Sequence, residues 1–168
     1  MAQIGGHRTV TFNIGDKVVY PMHGAGIIEA IEEKEVLGER HKYYVMKLPI
    51  GEMKVMIPVD NVAELGLRQV IDDEGVEKVF DILRGEQTAM SQNWNRRYRA
   101  NMEKIKSGDI FEVAEVVRNL AIRDREKGLS TGERKMLDSA RQILISELIL
   151  AQDTTEEQVE TALNDLLR

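Results

Sequence analysis

Few residues in this sequence of 168 could do covalent chemistry. It has no cysteine, which excludes a disulfide scaffold, a thiolate metal site and a thiol nucleophile. No two of the three histidines, His7, His23 and His41, stand three or four apart, the spacing that would put both on one helix face as metal ligands. His23-Gly24-Ala25-Gly26 carries two glycines, yet no Gly-Lys-Ser/Thr follows and no helix is expected to begin there. A phosphate cradle needs that helix N-terminus, so turn glycines at positive φ are the better account. The paired carboxylates Glu32-Glu33 and Glu156-Glu157 fall where a solvated face or a helix first turn is expected. Nothing apolar surrounds them to drive their pKa values apart for acid–base work. The expectation is a non-enzyme with no catalytic residue, cofactor, metal or small-molecule substrate.

One stretch has a different chemistry. Asn93-Trp94-Asn95-Arg96-Arg97-Tyr98-Arg99-Ala100-Asn101 holds the only tryptophan, three arginines and a tyrosine. Two readings of Trp94 stand side by side. In one it anchors a core or staples a loop, and the arginines line a solvated helix face. In the other it is an exposed apolar wedge beside a guanidinium cluster, which neutralises phosphates while the indole enters a distorted base step. Unstacking a step costs about a few kcal/mol, and an indole contact of ~1–3 kcal/mol would largely offset that where the step is already open. Arg134-Lys135 could extend the same surface or lie on a solvated face.

These residues need elements to hold them. Short β-rich runs at 10–12, 17–20, 26–31, 42–48 and 54–57 alternate with turn signals such as Asn13-Ile14-Gly15-Asp16 and Pro49-Ile50-Gly51-Glu52. Five short strands in so small a span predict a small barrel, because closure removes exposed edges. From about Val70 the apolar period becomes helical. Asp73, Asp109-x-x-Glu112, Ser130-x-x-Glu133 and Thr154-x-x-Glu157 are predicted to open helices, and another is expected over 94–106. Gly85, Gly108 and Gly128 mark ends. The predicted class is α+β multidomain: a β domain over 10–66, a linker at 65–69, and an all-α bundle over 70–168.

The net charge of −6 is unevenly spread: residues 94–141 carry 12 Lys and Arg against 8 Asp and Glu, while 142–168 carry 1 against 6. An acidic protein with one basic segment binds a polyanion weakly on its own, since the rest repels it. If DNA is a target, a second partner is therefore expected to help hold the protein there. No run approaches the ~20 apolar residues of a membrane span, and the first eight residues lack a secretory apolar core. A cytoplasmic protein without a membrane partner is expected.

The block Phe12-Asn13-Ile14-Gly15-Asp16-Lys17-Val18-Val19-Tyr20-Pro21-Met22-His23-Gly24-Ala25-Gly26 resembles the opening of the CarD/CdnL family of bacterial transcription regulators, and is similar to the polymerase-interacting domain of the transcription-repair coupling factor. The Trp94 block, Ala114-Glu115-Val116-Val117-Arg118-Asn119-Leu120 and Arg125-Glu126-Lys127-Gly128-Leu129-Ser130 resemble CarD proteins alone. The resemblance implies a Tudor-like β-barrel that binds the RNA polymerase β subunit, and a helical domain on promoter DNA at the upstream edge of the transcription bubble. It implies a wedge at Trp94, DNA contacts at Arg96, Arg99 and Arg134, with Arg97 in the same cluster, and polymerase contacts at Lys34, Val36 and Met56. Stabilisation of the open promoter complex, and a place on the nucleoid through polymerase, would follow. Met56 departs from the arginine that some members carry there. In a rival expectation the protein is an interaction module whose helices are only scaffold.

Overall fold

The structure, a computed structural model, describes residues 11–167. Short runs rich in β-branched and aromatic residues, separated by turns, form the strands. The strands are β1 (Lys17–Tyr20), β2 (Gly24–Val36), β3 (Glu39–Lys47), β4 (Lys54–Pro58) and β5 (Arg68–Gln69). They form one antiparallel sheet in the order β4-β3-β2-β1-β5. Ile28, Tyr44, Met46 and Ile57 pack on its inner face with Val18, Phe12, Val62 and Leu67. A bulge between Ile28 and Ala30 shifts the register with β3, so that Ile31 opposite Tyr44 regains the phase of Ile28 opposite Met46. Gly26 is required by space: a Cβ there would lie 2.6 Å from Met46 Cγ and 2.7 Å from the Lys47 carbonyl. Of these two glycines only Gly24 has positive φ, so positive φ does not account for Gly26.

The expected closed barrel is not formed. β4 and β5 are the two sheet edges and do not pair. β5 has two residues and reaches only β1, through Val18↔Gln69 and Val19↔Arg68. The segment after β4, with a 3-10 turn at Val59–Asn61, folds across the inner face instead and contributes Val62 and Leu67. The predicted linker at 65–69 thus contains a strand. Val10 lies outside the described residues, and Thr11 and Phe12 are not in a strand.

The helices are α1 (Asp73–Arg84), α2 (Trp94–Lys106), α3 (Ile110–Lys127), α4 (Thr131–Gln152) and α5 (Glu156–Leu166). Their N-caps are Asp72, Asn93, Asp109, Ser130 and Thr155, each accepting a backbone N–H of the first turn. Two caps sit one residue from the expected Asp73 and Thr154. Val79, Ile110, Val117, Leu120, Leu144 and Leu148 are among the residues of the core shared by these helices. The helical half also covers part of the outer face of the sheet, at β1 and the start of β2, where Leu150 of α4 meets Val19 and Ala25. Consecutive Val18 and Val19 are both buried for that reason, one on each face.

Candidate nucleic-acid interface

Trp94 is the first residue of α2, directly after the Asn93 cap. Four residues on, Tyr98 lies on the same side of the helix, and the two rings stack with centroids 5.0 Å apart and planes 18° apart. The indole Nε1–H donates to Ser130 Oγ at 3.0 Å. Below the ring is the first turn of α4, where Gly132 leaves room: a Cβ there would stand 3.3 Å from Trp94 Cζ2 and 3.8 Å from the Tyr98 ring. The tryptophan remains 41% exposed. It is neither a core anchor nor a free rotor. The indole is held by one hydrogen bond, a stacked ring and a helix end, and the rest of its surface is open.

One turn later the chain turns an arginine inward. Arg97 is 3% exposed. Its guanidinium meets Glu133 at 2.7 Å (Nε to Oε2) and 3.2 Å (Nη2 to Oε1), and Nη1 donates to the carbonyls of Ser91 and Gln92. Arg97, expected in the DNA-contacting cluster, has its charge and its donors occupied inside the protein. In a reciprocal capping box the Glu133 carboxylate would reach back to the backbone N–H of Ser130. Ser130 Oγ does accept the Glu133 N–H at 3.1 Å, but the carboxylate is drawn to Arg97. The hydrogen bond from Arg97 holds the Glu133 carboxyl below its usual 4.5 against the opposing effect of burial, and the charges of Arg97 and Arg123 and the Ser130 hydroxyl add to it. Residues 94 and 97 of α2 therefore grip residues 130 and 133 of α4 at matching spacings.

The other arginines differ in how free they are. Arg96 and Arg99 are exposed, and their side chains make no hydrogen bond or ion pair among the described residues. Helical geometry puts them on the side of α2 away from Arg97. Arg134, 52% exposed, is bidentate to Asp124 at 2.7 and 3.4 Å, which raises its pKa further. A phosphate there must compete with a carboxylate. Sequence reasoning missed Tyr98, Ser130 and Gly132 as supports of the indole, and Glu133 as the partner of Arg97. The i,i+4 spacing of the two aromatics and the Ser130 box were the signals available.

On the sheet, Val45 pairs with Ala30 on one side and Met56 on the other. Alternation from Ala30 puts Lys34 and Val36 on the same face as Met56, opposite the face of Tyr44 and Ile57. Lys34 and Val36 are exposed, and Met56 is half-buried on the edge strand β4. The hairpin tip carries Leu37, 99% exposed at φ 54°, a conformation uncommon for a bulky side chain.

The remaining chemical candidates stay apart. His23 stacks on Tyr20 at 4.1 Å, and His41 lies 3.5 Å from Glu39. His7 is outside the described residues. Glu32 and Glu33 are exposed on β2. Among the described residues no His, Cys, Asp and Glu group of three or more is placed to hold a metal ion, and no helix is long and apolar enough to cross a membrane.

Comparison with known proteins gives the arrangement a family. The family model for the CarD C-terminal domain matches residues 78–164, and that for the CarD-like/TRCF RID domain matches residues 12–71. The chain is 46% identical over 150 residues to the "Putative transcription factor YdeB" of Bacillus subtilis (strain 168), covering 89% of this chain and 98% of that one. Among solved structures it is similar to CdnLNt from Myxococcus xanthus, with 40% identity, TM-score 0.34, and 41% of this chain and 97% of that one covered. It is also similar to the 72-residue N-terminal domain of Myxococcus xanthus CarD, with 31% identity, TM-score 0.31, and 39% and 93% covered. The chain belongs to the CarD-like transcription factor family.

Proposed function

We propose that the protein is a transcription regulator with two contacts. The sheet, through Lys34, Val36 and Met56, binds the RNA polymerase β subunit. The helical half, through Trp94, Arg96 and Arg99, binds promoter DNA at the upstream edge of the transcription bubble and stabilises the open complex. The observation that carries the reading is the half-open indole, pre-oriented by Ser130, Tyr98 and Gly132. Its N–H is already bonded, so it has no donor left for a base edge, and it recognises a gap between bases rather than a sequence. Arg96 and Arg99 supply free positive charge in the first two turns of the same helix. The edge of β4 offers unpaired backbone groups for strand addition by the β subunit. Tethering to polymerase overcomes the repulsion expected from a net charge of −6 by raising local concentration. This reading places the protein in the cytoplasm, on the nucleoid.

One observation favours the rival, in which the helices are scaffold alone: Arg97 and Arg134 are both paired internally, which thins the basic patch. Trp94→Ala separates the two. On the proposed reading, promoter-complex lifetime falls while polymerase retention and melting temperature stay near the parent's. An unchanged lifetime and DNA footprint would leave the scaffold reading standing.

A further inference from the structure

The long helix α4 touches both working ends of the molecule. Its first turn carries Ser130, Gly132 and Glu133, which hold Trp94 and Arg97. About 25 Å further along, at 1.5 Å per residue, Ser146, Glu147 and Leu150 meet the sheet. There Glu147 is fully buried, and Arg68 of β5 binds it in a bidentate pair at 2.8 and 2.7 Å. The Ile71 backbone N–H gives the same carboxylate a third donor at 2.9 Å. Arg68 Nε also donates to the Gly108 carbonyl between α2 and α3, so one guanidinium joins three segments. Close by, the Ala25 N–H of β2 donates to Ser146 Oγ at 2.9 Å, and Lys17 Nζ of β1 to the Leu150 carbonyl at 3.0 Å. Gly24 permits the approach, since a Cβ there would lie 2.6 Å from Ser146 Oγ.

Three strands thus land on little more than one turn of α4. Swinging the helical half about the 70–72 connection would break all three contacts together and leave a buried carboxylate without its cation, which is strongly disfavoured. We infer that Arg68 and Glu147 are positioning residues that bolt α4 to the sheet, fixing where the indole stands relative to the face that carries Lys34, Val36 and Met56. The functional consequence rests on the proposed function; the geometry does not. α4 acts as a strut: docking the sheet on polymerase sets the place of the tryptophan, with no separate search by the helical half.

The absence of cysteine makes a direct test simple. Spin labels on Glu35→Cys and Lys127→Cys, both exposed, report the distance between the hairpin and the Trp94 end. The parent is expected to give one narrow distance distribution, and Arg68→Met a broad one. Arg68→Lys, which keeps the charge but not the planar fork, falls between and carries the test if Arg68→Met fails to fold. In promoter assays Arg68→Met shortens open-complex lifetime roughly tenfold as the effective concentration of the indole at the fork drops. Polymerase retention and Trp94 fluorescence stay unchanged. A narrow distribution in both Arg68 variants, a broad one in the parent, or broadening without loss of lifetime would each overturn the inference. A parent protein that never lengthens open-complex lifetime would instead defeat the proposed function, with the distances still deciding the clasp.

Discussion

The two ends of α4 use the same chemistry to different effect. At each, a buried glutamate of the helix takes a bidentate arginine from another element: Glu133 from Arg97, and Glu147 from Arg68. At the sheet end Glu147 is fully buried while Arg68 stays partly exposed, and the residues packed between α4 and the sheet are the apolar Val19, Ala25 and Leu150. At the other end the pair lies beneath an indole that stays open on its outer side. A buried ion pair is therefore no marker of a binding site. It is a rivet, and what distinguishes the ends is the group left exposed beside it. The same contrast runs through α2, where Arg97 is a rivet while its neighbours Arg96 and Arg99 remain free.

The sharpest way to break this comparison is to treat adjacent arginines alike. Arg97→Met leaves Glu133 buried without its cation, and removing one partner of such a pair costs about 3–5 kcal/mol. Arg96→Met removes an exposed side chain with no partner and should stay within about 0.5 kcal/mol. Thermal or denaturant unfolding of the two variants checks this directly. Similar losses would show that burial does not separate the two residues.

Acid should weaken the Arg97–Glu133 rivet through its carboxylate. Glu133 is held below its usual 4.5 by Arg97, and Glu115 is lowered first by its hydrogen bond from Lys104, with Thr88 also donating. Where a folded-state pKa is depressed, the unfolded chain binds more protons between the two values, so stability rises with pH there. The contribution of both carboxylates is thus complete above about pH 4.5 and is lost as pH falls through their lowered values. Unfolding measured across acid pH should show this decline in the parent, and a shallower one in Arg97→Met. Equal slopes would remove Arg97 as the cause.

Much of this was legible in the sequence where a signal is local. Helix starts at 109 and 130, the helix over 94–106 and stops at Gly85 and Gly128 were readable because caps and stops are made by residues a few positions apart. The open sheet was not, since closure depends on whether β5 reaches β4, and a two-residue strand leaves almost no pattern. Arg68 and Glu147 are 79 residues apart, and no spacing rule marks such a pair. The consecutive apolar Val18 and Val19 did hold a hint, because a strand buried at successive positions must be covered on both faces. The burial of Arg97 beside its exposed neighbours also follows from helix phase: Arg97, Asn101 and Ile105 recur every fourth residue and face inward together.

The smallest effect concerns Arg134. Each phosphate contact on duplex DNA contributes about 0.9 to the slope of log affinity against log salt. Arg99→Gln, which removes an unpaired cation, should lower that slope by about this amount when promoter-complex binding is titrated with salt. Arg134→Gln should lower it by clearly less, since Asp124 already neutralises the guanidinium and is itself left free by the substitution. Its effect on stability should be small, as for other exposed ion pairs. A full phosphate's worth of slope lost at Arg134 would mean that DNA displaces Asp124 on binding. Paired and unpaired arginines would then be equally available at the Trp94 end of α4, and the contrast with the sheet end would rest on the indole alone.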